Sequence, residues 1–71
     1  MKTFKECCVT ILLSEKADDY AKAYAKKGLE FPADAHDYIR AQAMYILSNL
    51  AKWREPESRE VKLALRHYSK A

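Results

Sequence analysis

The sequence predicts an all-α fold, a small bundle of three or four helices around a central helix at about residues 34–53. Apolar residues recur along that stretch at steps of four, three, four and three, which is helical spacing. They form one stripe: Ile39, Ala43, Ile46, Leu50 and Trp53. The 71 residues include one Gly and two Pro, too little turn chemistry for a hairpin-rich β fold. At this length we expect a single domain, residues 1–71.

The first helix is predicted over residues 3–13. Its apolar residues are spaced to form one buried face: Phe4, Cys7, Cys8, Ile11 and Leu12. The β-branched residues 9–11 lower the helix propensity, so a strand over residues 7–13 stays open as an alternative. Adjacent cysteines on a helix do not readily form a disulfide, so we expect both to act as small buried hydrophobic residues in a reducing compartment.

A second helix is expected at about residues 15–27. Ser14 is its predicted N-cap, because a serine hydroxyl can accept a hydrogen bond from an unpaired amide of the first turn. Gly28 is predicted to follow its end in the left-handed conformation. The inward face would consist of Ala17, Tyr20, Ala21 and Tyr24. The pattern leaves open whether residues 3–27 form one bent helix or two.

The central helix is predicted to begin at Asp34 or Ala33 and to end near residues 52–54. Phe31 and Tyr38 are spaced to pack across its start as a hydrophobic staple. Pro56 suits the first position of a last helix, because its fixed φ is helical and its missing N–H is not needed there. The apolar face of this last helix would be Val61, Ala64, Leu65 and Tyr68.

The positive charge of the chain is concentrated near its end. Residues 52–71 hold six Lys or Arg and three Glu, which supplies the whole net charge of +3, whereas residues 1–51 hold seven of each sign. Four basic residues recur at helical spacing along the last helix: Arg59, Lys62, Arg66 and Lys70. Such a stripe can bind phosphates, so a nucleic-acid-binding protein is an alternative prediction. The other interpretation is a solvated helix face.

Patterns that support catalysis or metal binding are not found. The soft ligands Cys7, Cys8, His36 and His67 show neither C-x-x-C nor H-x-x-x-H spacing, and the single glycine rules out a glycine-rich phosphate loop. We therefore predict a protein that is not an enzyme and uses no metal or cofactor. No apolar run approaches the roughly 20 residues of a membrane span and no secretory signal pattern is present, so we expect a cytoplasmic protein without a membrane partner.

The aromatic residues favour a protein-binding function. Four tyrosines and one tryptophan are many for so small a core: Tyr24, Tyr38, Tyr45, Tyr68 and Trp53. Aromatic and arginine side chains left at a surface are typical of protein-binding patches. Tyr38, Tyr45 and Asn49 share one flank of the central helix. We predict a partner-binding site that consists of Tyr38, Tyr45, Asn49, Trp53 and Arg54.

One segment resembles a known pattern. Residues 42–54, QAMYILSNLAKWR, with EVK at 60–62, are similar to small uncharacterised bacteriophage proteins in which Y-I-L-S-N-L-x-x-W-R precedes a short helix. Residues 20–29, YAKAYAKKGL, resemble the preceding segment of those proteins, and residues 1–13 lie outside the resemblance. The resemblance implies a phage or prophage origin and assigns no activity. Small phage-encoded helical proteins often bind and block host proteins, so it implies a modulator of a host protein, such as an anti-defence or anti-CRISPR inhibitor. A structural homo-oligomer is a further alternative.

Overall fold

The computed structural model describes residues 1–70 and folds them into four α-helices. They are α1 (Phe4–Leu13), α2 (Asp19–Gly28), α3 (His36–Leu47) and α4 (Ser58–Lys70). Each helix packs mainly against two others, in the order α1, α2, α3, α4 and back to α1. The predicted all-α bundle is confirmed. The mid-chain helix α3 forms one side of this bundle, as the other three helices do.

The core is built from the predicted apolar faces. On α1, the buried residues are Phe4, Cys7, Cys8 and Ile11, four of the five that the spacing predicts, while Leu12 is only partly buried. The largest fully buried side chains elsewhere are Ile46, Leu50, Val61 and Leu65. The strand alternative for residues 7–13 is wrong, because α1 covers them. No helix in the described part of the chain combines the length and the apolar character that crossing a membrane requires.

Residues 3–27 form two helices, separated by a turn at residues 14–18. Thr3 caps α1 in a reciprocal pair with Glu6, whose carboxylate accepts from the Thr3 amide at 2.8 Å. The predicted N-cap of the second helix is wrong: Asp18 caps α2, and its carboxylate accepts from the Tyr20 amide at 2.7 Å. Ser14 instead holds the turn, where its Oγ accepts from the amides of residues 16 and 17.

Gly28 serves close packing, not a left-handed turn. It is the last residue of α2, and no glycine in the chain has a positive φ. A Cβ at this position would lie 2.9 Å from Cζ of Phe4, so only glycine lets α1 approach this closely. The small residues Ala21, Ala25 and Gly28 are the buried ones on α2. Tyr20 and Tyr24 therefore lie on the outer side, contrary to the predicted inward face.

α3 is shorter than predicted at both ends. Its N-cap is Ala35, without a side-chain hydrogen bond, so neither Asp34 nor Ala33 caps it. It ends at Leu47, after which successive amides donate to carbonyls three residues back, as in a tightened last turn. The Ser48 hydroxyl and the side-chain amide of Asn49 both donate to the Tyr45 carbonyl, at 2.9 Å each. These bonds compete with the backbone bonds that would continue the helix.

The connection and α4 complete the core. Leu50 and Trp53 are buried as the stripe predicts, but turns rather than helix carry them inward. α4 begins at Ser58, two residues beyond Pro56. Its predicted face is confirmed, with Val61, Ala64 and Leu65 fully buried and Tyr68 half-buried. Phe31 and Tyr38 also pack as predicted, with ring centroids 5.6 Å apart.

Candidate functional site

Trp53 is part of the hydrophobic core. Its side chain is only 2% exposed, and its indole Nε1 donates to Ser14 Oγ at 3.1 Å and to Glu55 Oε1 at 2.8 Å. Ser14 Oγ also donates to the same Glu55 oxygen. These bonds from Ser14 and Trp53 hold the pKa of the Glu55 carboxyl below its ordinary value. The indole thus ties the α1–α2 turn to the α3–α4 connection and leaves little of its side chain exposed, and the contact of Trp53 with a partner stays a prediction.

The other aromatic side chains on α2 and α3 gather on one outer side of the bundle. Two come from α2 and two from α3, and we call them the tyrosine face: Tyr20, Tyr24, Tyr38 and Tyr45. The exposed fractions are 70% for Tyr20, 69% for Tyr38 and 53% for Tyr45. The rings of Tyr24 and Tyr45 are stacked with centroids 5.6 Å apart, which joins the two helices at the middle of this face.

The tyrosine face is held in place by contacts beneath it. Gln42 is buried, and its Nε2 donates to the Tyr24 carbonyl at 2.8 Å, so α2 and α3 are locked together there. Phe31 supports the Tyr38 ring. Asn49 is partly buried, and its side-chain amide donates to the Tyr45 carbonyl. This predicted contact residue therefore also caps the end of α3.

Tyr20 and Tyr24 belong to the predicted inward face of the second helix, yet both side chains are exposed. Of the two, only Tyr24 is also among the aromatic residues predicted to exceed what the core can hold. The signal that finds them is the row of small residues at Ala21, Ala25 and Gly28, spaced by four and three. Such a row permits close helix approach and turns the larger side chains outward. With Tyr38 and Tyr45 they form a patch to which both α2 and α3 contribute.

A second surface lies between the end of α3 and α4. It is an open groove of about 640 Å³, which we call the cationic groove. Eight residues line it, four apolar, three basic and one serine: Met44, Leu47, Leu50, Ala51, Arg54, Lys62, Arg66 and Ser48. Met44 is 56% exposed and Leu47 half-buried, so the groove has an accessible apolar floor.

The three basic side chains of the cationic groove are close enough to influence one another. Desolvation lowers the pKa of Lys62, and the charges of Arg54 and Arg66 lower that pKa further. The Lys62 ammonium donates to the Trp53 carbonyl at 2.8 Å, which fixes its position. Within residues 1–70, no carboxylate forms an ion pair with any of the three.

The cationic groove combines residues from both predicted sets. Lys62 and Arg66 belong to the predicted nucleic-acid stripe, and Arg54 was assigned to the partner-binding site. The other two residues of the stripe, Arg59 and Lys70, are exposed but do not line the groove. The structure therefore separates Arg54 from the tyrosines and places it with two of the four basic residues of α4.

The cysteines are buried as predicted. Desolvation raises the pKa of Cys7 to about 11 and that of Cys8 to about 12, so both thiols stay protonated near neutral pH and are poor nucleophiles. Among the described residues, no group of three His, Cys, Asp or Glu side chains is placed to hold a metal ion.

No protein family, curated protein or solved structure matches this chain. The resemblance of residues 42–54 to phage proteins stays a prediction. In the structure the motif is divided: Leu50 and Trp53 are buried, whereas Tyr45 belongs to the tyrosine face and Arg54 to the cationic groove. Part of the motif thus supports the fold, and its exposed part lies on the two candidate binding surfaces.

Proposed function

We propose that the protein is a non-catalytic binding protein that docks onto another protein through the tyrosine face. The observation that carries this proposal is a set of four tyrosines on one side of α2 and α3, three of them more than half exposed. Tyrosine buries a large area at a low entropic cost and is enriched in protein-binding surfaces. The Tyr24–Tyr45 stack and the Phe31–Tyr38 contact hold three of the four rings before any partner binds.

The size of the protein is compatible with such an interface. Its accessible surface is 4872 Å². A standard interface buries about 800 Å² on each partner, about one sixth of that surface. One side of a two-helix layer can supply this area. The resemblance to phage proteins supports a host protein as the partner, and a role as an anti-defence or anti-CRISPR inhibitor is the finer form of the proposal.

Nucleic-acid binding through α4 takes second place. It is favoured by the unpaired basic side chains of the cationic groove, but only Lys62 and Arg66 of the four stripe residues converge there. A homo-oligomer that uses the tyrosine face on both copies is a third proposal. Sedimentation at high micromolar concentration distinguishes it, because a monomer would exclude it.

The test is a capture experiment with matched variants. Tagged wild-type protein is incubated with bacterial lysates, the retained proteins are identified by mass spectrometry, and the best candidate is purified for calorimetric titration. The variant Tyr20→Ser/Tyr38→Ser removes the two most exposed rings of the tyrosine face. Leu63→Ser, at a 60% exposed apolar residue on α4, is the control.

We expect one stoichiometric partner that the wild-type protein and the control retain and the double variant loses. Circular dichroism would show that both variants remain folded. Recovery of no partner, or equal recovery by the double variant, would count against the proposal.

A further inference from the structure

We propose that the cationic groove is a second docking site, which binds an amphipathic helix of a partner protein whose carboxylates flank an apolar stripe. This surface is distinct from the tyrosine face. The inference does not rest on the function proposed above, and its failure would leave that function untouched.

The charge of the groove selects an anionic partner. Arg54, Lys62 and Arg66 converge on one opening without a carboxylate of their own within the described chain. Like charges brought this close repel, and an anion in the groove relieves that repulsion. The two arginines can each bind a carboxylate with two parallel hydrogen bonds. Lys62 is already held by the Trp53 carbonyl, so it loses little freedom when it binds.

The floor of the groove favours a protein segment over a nucleic acid. Met44, Leu47 and Ala51 present apolar surface between α3 and α4, whereas Leu50 borders the groove from the buried core. A phosphate backbone offers nothing apolar to cover such a floor, whereas leucine or phenylalanine side chains would bury it. Methionine adapts its shape to different apolar partners, and grooves of this kind take amphipathic helices.

The spacing of the basic residues matches a helix. Lys62 and Arg66 are four residues apart on α4, so they lie one turn apart, about 6 Å along the helix axis. Carboxylates at i and i+4 of a partner helix have the same separation. A helix with Glu at those positions and Leu at i+3 and i+7 would place its acids on the two cations and its apolar residues on the floor.

The experiment measures the fluorescence anisotropy of a labelled peptide of about 16 residues with that pattern. A scrambled peptide of the same composition, in which acidic and apolar residues share no face, is the first comparison. A labelled DNA duplex and a single-stranded RNA are the second. The full-length protein is titrated into each at low and at physiological salt.

Four variants locate the site. Arg54→Gln and Arg66→Gln each remove one charge from the groove, and Met44→Ser makes its floor polar. Arg59→Gln is the matched control, because it removes the same charge from the same helix at an exposed residue that does not line the groove.

We expect the patterned peptide to bind at least tenfold more tightly than the scrambled one. Each groove arginine variant should weaken binding about five- to tenfold and Met44→Ser about threefold or more, while Arg59→Gln changes it less than about twofold.

Each of three results would overturn the proposal. One is an equal affinity for the patterned and scrambled peptides, or no binding of either. The second is tighter binding of DNA or RNA with no effect of Met44→Ser, which would assign the groove to nucleic acid. The third is an equal loss for Arg59→Gln and Arg66→Gln, which would show general attraction to a basic helix.

Discussion

Replacing Ser14 by Ala should destabilise the fold far more than the loss of one exposed hydroxyl normally does. Ser14 is 5% exposed, and its Oγ makes four hydrogen bonds. It accepts from the amides of Lys16 and Ala17 and from the Trp53 indole, and it donates to Glu55. One side chain thus joins the α1–α2 turn to the α3–α4 connection.

The magnitude follows from what each partner of Ser14 can bind instead. The Lys16 amide belongs to an exposed residue and can turn to water, and the Trp53 indole keeps its bond to Glu55. The Ala17 amide is buried and loses its acceptor, which costs about 1–3 kcal/mol. With about 1 kcal/mol more for the other bonds, we expect a loss of about 2–4 kcal/mol. A domain of 71 residues is typically stable by about 4–10 kcal/mol, so this is a large fraction.

The assay is urea unfolding followed both by circular dichroism and by the fluorescence of the single tryptophan. With a slope of about 1 kcal/mol per M urea, the loss corresponds to a midpoint lower by about 2–4 M and a melting temperature lower by about 10–30 °C. Ser48→Ala is the matched control, because Ser48 is exposed and donates only to the Tyr45 carbonyl one turn back. It should cost about 0.5 kcal/mol or less. If the two variants lose the same free energy, the role assigned to Ser14 is wrong.

Three further changes test other parts of the structure. Gly28→Ala should lower the free energy of unfolding by about 1 kcal/mol in urea titrations, because overpacking against Phe4 outweighs the gain in helix propensity. An unchanged or higher stability would contradict the close packing of α1 against Gly28. The pKa of the Glu55 carboxyl is lowered in the folded protein, so its contribution to stability is present above the unfolded pKa of 4.5 and is lost as the pH falls through and below that value. Glu55→Gln should therefore make the urea midpoint depend less steeply on pH in the acid range. An identical pH profile for the variant and the wild-type protein would refute the assignment. Cys7 and Cys8 should resist thiol reagents at pH 8 until urea unfolds the chain, since both are buried and their pKa values are raised. Rapid labelling of the native protein would show that the cysteine face of α1 is accessible to solvent.

Helical periodicity predicted most of the core because it depends only on local spacing. Phe4, Ile11, Ile46 and Leu50 are buried where the pattern places them. The predicted length of α3 was wrong, since Ser48 and neighbouring residues favour tight turns while the apolar stripe runs on through them. A stripe therefore indicates which side chains face inward, but it does not show whether helix or turn carries them.

The burial of aromatic rings at the candidate site is harder to predict, for a different reason. Whether an aromatic ring is buried depends on how close the neighbouring segment comes. Trp53 finds its partner Ser14 39 residues away along the chain, and no local spacing reveals such a contact. Tyr20 lies outward because the buried face of α2 consists of the small residues Ala21, Ala25 and Gly28. The sequence nevertheless predicted Tyr38 and Tyr45 on one flank, since residues seven apart on a helix always share a side.

Met44 and Tyr45 are neighbours in the sequence, yet one forms the floor of the cationic groove and the other stacks on Tyr24. The rotation of α3 about its own axis, which Ala43 and Ile46 set from the core, therefore fixes both surfaces at once. Inserting a single residue upstream in α3 would turn the helix by about 100° and disturb the two together. Evolution can alter the side chains of either surface separately, but it cannot reorient one without the other.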